Sequence, residues 1–366
     1  SPKIRVCIRK RPLNAKELSS HSPDSLTVRT SSHPNAHIYV HRPHRRLDGT
    51  PATTTHRFLF DDVFDEHASN LLVYSAAVRP LVRAMFKRGG RCSLFCYGQT
   101  GSGKTYTVFG PEGGRPGAPG DPGIHQHACA DIFRLLSLAN RRRAPRNLPA
   151  LNCTASYFEL YGGRVFDLLA RRAPRQMMED ARGDVQVVGL TRVRVGSAEE
   201  CRRQVERGNT ERTTGRTEAN DTSSRSHAVF QVVVWESGAG VGELDGVGGT
   251  VLPGGDKVFS KFSLIDLAGS ERGQDTGKGG TRRQRMEASE INKSLLALKE
   301  CIRALHARQP SGPVCPPHVP FRASKLTHLL RDSFVHRSSR TVMVAAVGPS
   351  AGGVEHTLNT LRYAGR

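Results

Sequence analysis

Apolar and polar residues alternate through Ile4-Arg-Val-Cys-Ile8, the period of a strand, and Arg9-Lys-Arg-Pro12 is expected to end it. Apolar positions return at helical spacing over residues 71–86 and lead into Cys92-Ser-Leu-Phe-Cys-Tyr97, which reads as a short buried strand. Further along, the pattern predicts a helix over 124–138, a central strand over 151–161 and longer strands over 227–236 and 258–266. Residues 185–188 and 191–195 read as a small hairpin around Gly189. The most regular helix carries Ile291, Leu295, Leu298, Ile302 and Leu305 at spacings of four, three, four and three, so one of its faces is buried. Ser324 is an N-cap candidate for a helix reaching Arg331, and 354–364 predicts a last helix. Strands and helices alternate along the whole chain, as expected of one α/β domain with a mixed sheet.

Three stretches break the pattern. Residues 19–56 are rich in Ser, His, Pro and Thr around one strand candidate, His37-Ile-Tyr-Val40, and read as a protruding hairpin or loop. Glycine and proline dominate 110–123, which must interrupt any helix begun at Lys104. A glycine-rich stretch over 237–255 reads as a flexible surface connection within the domain.

The 366 residues carry a net charge of +21 and an isoelectric point near 10.3. That excess points to an extended anionic partner, although arginines in loop-like runs such as Arg141-Arg-Arg143 fit compositional bias equally well. Eight cysteines lack paired spacing, and no apolar leader or membrane-length run is present, which favours a reducing interior compartment. His125-x-His127-x-Cys129 has no second cluster to complete a metal site and reads as an ordinary helical face.

The chemistry concentrates in Gly98-Gln-Thr-Gly-Ser-Gly-Lys104-Thr105, between the strand at 92–97 and a helix that Thr105-Tyr-Thr-Val-Phe109 can open. Glycines in such a loop let backbone N–H groups curl around phosphates. Lys104 then reaches the β and γ oxygens, and the Thr105 hydroxyl can ligate Mg²⁺. Gln99, Thr100, Gly101, Ser102 and Gly103 complete the cradle. Phe262-Ser-Leu-Ile-Asp266 is an apolar strand ending in a carboxylate, the placement of an acid that holds Mg²⁺ through water. Gly269 follows, with an N–H to offer a γ-phosphate, and Asn220-Asp-Thr-Ser-Ser-Arg-Ser-His227 supplies a hydroxyl-rich loop that could order around the same group.

In their order, the loop at 98–105, the 220–227 segment and Asp266-Leu-Ala-Gly-Ser-Glu271 resemble the phosphate loop, switch I and switch II of the kinesin motor domain. The resemblance runs from Arg9-Lys-Arg-Pro12 to Asn359-Thr-Leu-Arg-Tyr-Ala364. It implies a single P-loop NTPase motor domain over 1–366, with a central, mixed, mainly parallel sheet between helices on both faces. It also implies ATP and Mg²⁺ as cofactors and acidic tubulin as partner, with no nucleic acid or membrane. By the same resemblance Arg9 and Pro12 flank the adenine, with Tyr74 and Tyr106 nearby. Ser223 and Ser224 are the switch I hydroxyls, Ser224 being the Mg²⁺ contact. Arg225 and Glu271 pair when the site closes and help to position the attacking water.

The helix over 291–305 resembles the switch II helix and Pro320-Phe-Arg-Ala-Ser-Lys-Leu-Thr327 the loop and helix after it, which implies tubulin contacts at Arg303, Arg322 and Lys325. Cys7-Ile-Arg-Lys-Arg-Pro-Leu-Asn14, Val185-Gln-Val-Val-Gly-Leu190 and 294–305 look like the kinesin-13 group, internal motors that depolymerise microtubules from their ends. Lys299, Glu300 and Cys301 match a signature of that group, and Arg46, Leu47 and Asp48 stand where it carries a charged tip on an extended loop. Ser333-Phe-Val-His-Arg337 lacks the Gly-Gly-Asn turn common in walking kinesins. A neck and a coiled coil are absent from these residues, so the core alone is expected to be monomeric. The resemblance implies a cytoplasmic setting on microtubules, with the spindle, centriole or flagellar base as the options. A plus-end-directed stepping motor, and a microtubule-capping protein with weak ATPase, are the alternative readings.

Overall fold

The structure is a computed structural model that describes residues 4–29, 36–111, 120–179, 185–214, 224–236, 257–271, 282–307 and 318–365. In chain order the elements are β1 (Ile4–Lys10), α1 (Ala15–Ser19), β2 (Leu26–Arg29), β3 (Ala36–Arg45), β4 (Pro51–Phe60), β5 (Asp62–Phe64), α2 (Asn70–Val73) and α3 (Arg79–Arg88). There follow β6 (Arg91–Tyr97), α4 (Lys104–Phe109), α5 (Ile124–Arg143), β7 (Leu151–Tyr161), β8 (Arg164–Asp167), β9 (Ala173–Glu179), β10 (Val185–Val188), β11 (Val193–Arg194) and α6 (Ala198–Thr214). The chain continues with β12 (His227–Glu236), β13 (Lys257–Asp266), α7 (Arg282–Ala307), α8 (Lys325–Val335), β14 (Arg340–Val347) and α9 (Val354–Ala364).

One sheet organises the molecule in the order β10-β9-β8-β7-β12-β13-β6-β14-β1-β5, with β11 on β7. From β13 to β5 the strands run parallel. β12 enters antiparallel between β7 and β13, and antiparallel pairing continues outward to β10. Alternation in β6 shows how the sequence builds two cores. Cys92, Leu94 and Cys96 face the layer of α3, α4, α5 and α6, whereas Phe95 and Tyr97 face α7, α8 and α9. Helices therefore cover both faces, as parallel strands buried on two sides require.

Several expectations are corrected. β1 runs on through Arg9 and Lys10, both buried, because β14 and β5 pair with it there. Residues 185–188 and 191–195 are not a hairpin: β10 pairs with β9, and β11 pairs with β7. Gly189 turns the chain away at φ +67, so the two short segments part. Much of 19–56 is neither loop nor simple hairpin, since β2, β3 and β4 form a separate three-stranded sheet. Its inner face packs Leu26, Ile38 and Val40 into the second core, while the β3–β4 ribbon continues outward to a tip at residues 46–49. Most of 110–123 and 237–255 lies outside the described residues.

Candidate nucleotide site and partner surfaces

β6 delivers the glycine loop and α4 receives it. Lys104 is the first residue of α4. A side chain at Gly98 is ruled out by both φ +149 and an added Cβ that meets Ser102 Oγ at 2.7 Å and the Ala346 carbonyl closer still. Lys104 lies at 7 % exposure, where burial lowers its pKa against the pull of Asp266 and Glu271. Its Nζ donates to the Gln99 carbonyl at 2.8 Å, folded onto the loop it serves.

β13 runs beside β6, which sets Asp266 next to Cys96 in register and lets Thr105 Oγ1 donate to Asp266 Oδ2 at 2.8 Å. Arg212, buried at the end of α6, donates to the same oxygen at 3.3 Å and to Ser226 Oγ at 3.3 Å. Sequence reading missed Arg212, whose only signal is its place on the helix leading to the switch I segment. It also missed Arg11, whose Nε donates to the Gly101 carbonyl at 2.7 Å while both Nη atoms grip Glu17 at 2.6 Å.

The loop after β13 is pinned along its backbone. Leu267 N–H donates to Cys96 O, Ala268 N–H to His227 Nδ1, Gly269 N–H to Ser224 O at 2.8 Å and Ser270 N–H to Gly98 O. His227 Nδ1 accepts, so its Nε2–H is the donor to Ser294 Oγ on α7 at 2.9 Å. One buried imidazole thus ties both switch strands to α7, and burial pushes it down to about 3.

Arg225 and Glu271, expected to pair only in a closed site, lie apart: Arg225 Nη1 is 3.3 Å from Glu287 Oε2 on α7, and Glu271 accepts from Thr100 N–H at 2.9 Å and from the Thr100 hydroxyl. Each member is held by another partner, so this is an open arrangement. Gly269 N–H is engaged by the Ser224 carbonyl. Tyr74 is 3 % exposed with its hydroxyl on Asp131 at 2.7 Å, part of the first core. Tyr106 is 41 % exposed with the Arg9 guanidinium 5.5 Å from its ring centre. Arg9 itself is buried against Asn70, Thr107 Oγ1 at 2.8 Å and Ala68 O at 3.0 Å, so it braces that ring from within. Pro12 is exposed beside it. Ser223 lies outside the described residues.

On the partner side, Arg303, Lys325 and Glu300 are exposed. Cys301 is fully buried, and burial pushes its thiol up to about 12, so it is no surface contact. Lys299 leans on the Tyr363 ring at 5.2 Å and serves α7–α9 packing. Arg322 is bonded to Glu179 at 2.7 Å. At the ribbon tip Leu47 is fully exposed, while Asp48 Oδ1 accepts from Thr50 N–H at 2.9 Å and from its hydroxyl at 2.6 Å. Those bonds hold the Asp48 carboxyl below its usual range.

Thr105 and Asp266, meeting across the β6–β13 pair at the head of a glycine loop, are the arrangement of a P-loop nucleoside triphosphatase. The profile of the kinesin motor domain matches residues 9–366, and the chain belongs to that family. It is similar to the structure of a fast kinesin, at 30 % identity over 99 % of this chain and 90 % of that one, with a TM-score of 0.76. The motor domain of the Kar3-like kinesin from Ashbya gossypii matches at 26 % identity, 100 % and 99 % coverage and a TM-score of 0.72. A KIF14 dimer in the two-heads-bound state, with AMP-PNP on a microtubule, matches at 30 % identity, 99 % and 93 % coverage and a TM-score of 0.74.

Kinesin motor domains are microtubule-stimulated ATPases that use ATP with Mg²⁺. The residues fit that group. Asp266 Oδ1, Ser102 Oγ and Gln99 Oε1 are buried without a hydrogen-bond partner, unusual for polar atoms unless a ligand or water completes them. Lys104 and the loop backbone would hold the phosphates, with Thr105, Ser224 and Asp266 on the Mg²⁺ side. The bound pair supplies the phosphoanhydride and the cation that neutralises charge on its oxygens. Arg225 and Glu271 would exclude and position water if they exchanged their present partners for each other.

Proposed function

We propose that this motor domain couples ATP hydrolysis to the removal of tubulin from microtubule ends. The observation that carries the reading is the β3–β4 ribbon. Ten residues of β3 pair with ten of β4, the inner half is anchored in the second core, and the outer half ends in the turn that presents Leu47 between Arg46 and Asp48. Such a stiff, charged finger suits a contact that favours a curved tubulin lattice over a straight one. Only a difference in affinity between two shapes can drive one into the other.

A stepping motor with the same nucleotide cycle is the second reading, favoured by the likeness to a KIF14 dimer bound to a microtubule by two heads. Stabilised microtubules with ATP under a microscope separate these: shortening supports the proposal, gliding over a motor-coated surface supports stepping, and static decoration supports a capping protein. Ala at both Arg46 and Asp48 is expected to abolish shortening while lattice binding persists. If the double variant shortens microtubules as fast as the parent, the finger has no such role.

A further inference from the structure

We propose that Glu179 is an internal stand-in for the acidic partner, holding Arg322 in place until an external carboxylate exchanges for it. The proposal rests on the reading of acidic tubulin as partner. Glu179 ends β9, and two guanidiniums and an imidazole converge on it from around α8. Arg322, from the short turn before that helix, donates to Oε2 at 2.7 Å. Arg331 donates to Oε1 at 2.9 Å, and His328 Nε2 lies 3.4 Å from Oε2.

The three are not held alike. The side chains of His328 and Arg331 are 21 % and 33 % exposed and tie α8 to β9. That of Arg322 is 79 % exposed although its guanidinium is bonded to Glu179. An exposed ion pair contributes little net stability, because water competes for both charges. Moving the Arg322 guanidinium from Glu179 to a carboxylate of a docking surface therefore replaces one such bond by another of the same kind. Among the described residues one carboxylate faces two guanidiniums, and that positive excess attracts an acidic surface before contact. Glu179 is thus a positioning residue: it keeps Arg322 extended along this face and competes for it.

Replacing Glu179 by Gln keeps an acceptor for Arg331 but removes the competing charge. Co-sedimentation with stabilised microtubules at low salt is expected to show roughly fivefold tighter binding for Glu179→Gln, with a steeper loss of affinity on adding salt. In an Arg322→Ala background the same change is expected to have almost no effect, since the pair is then already broken. A thermal unfolding midpoint close to the parent's establishes that α8 remains docked.

Unchanged or weaker binding by Glu179→Gln overturns the proposal, as does equal tightening in the Arg322→Ala background, which reports charge alone without exchange. If the parent binds and Arg322→Ala weakens it while Glu179→Gln has no effect, this inference alone fails. A parent that does not bind microtubules sinks the partner reading, and the inference with it.

Discussion

Glu271 and Arg225 carry the clearest consequence at the scale of single residues. In the open arrangement Glu271 is bonded to Thr100 of the glycine loop and Arg225 to Glu287 of α7, so closure would hand the Arg225 guanidinium from Glu287, which also accepts from the Tyr161 hydroxyl, to Glu271. Replacing Glu271 by Ala should leave ATP affinity within about threefold while slowing turnover about a hundredfold or more, because the lost pair forms only when the site shuts. Arg225→Ala should do the same, and the double variant should be scarcely worse than either single one. Single-turnover hydrolysis with an independent nucleotide-binding assay checks this. Additive losses in the double variant would mean that the two residues act apart. The phosphate loop and Asp266 were legible in sequence because their chemistry fixes residue type and spacing. Present partners were not: nothing in the spacing of Arg225 and Glu271 says that each is engaged elsewhere.

At the scale of elements, legibility followed hydrophobic period. The last helix, the central strands and the Ser324 cap stand where the pattern predicts, the cap with a Thr327 hydroxyl returning the bond. β9 has no such signal, since Pro174, Arg175 and Gln176 alternate with little that is apolar, so the pattern offers 185–188 no partner but 191–195. The β3–β4 tip makes an element-scale prediction. Gly49 sits at φ +82 in open space and its N–H closes the turn on the Arg46 carbonyl at 2.9 Å. A methyl group there meets no atom, so Gly49→Ala costs only the left-handed backbone strain, about 1 kcal/mol, confined to the tip. The thermal midpoint should therefore hold while microtubule shortening slows. Undiminished shortening would show that the tip's shape is immaterial.

For the whole molecule, burial of two imidazoles sets an acid limit. Burial first of all holds His125 down to about 4 and His227 to about 3, against an ordinary value of 6.5. Both are neutral in the fold, whereas the unfolded chain takes up their protons as pH falls through 6.5. Stability is therefore lost on acidification below that value, by about 2 kcal/mol for each at pH 5. Thermal midpoints measured from pH 7.5 to 5 should fall steadily, and a flat profile would contradict the burial of these rings. The central claim concerns what the assembled domain does with its turnover, and the most direct measurement compares intact with sheared stabilised microtubules at equal polymer mass. A motor that removes tubulin from ends should hydrolyse ATP faster on the sheared sample, in proportion to the number of ends. ATPase that follows polymer mass and ignores end number would contradict the account.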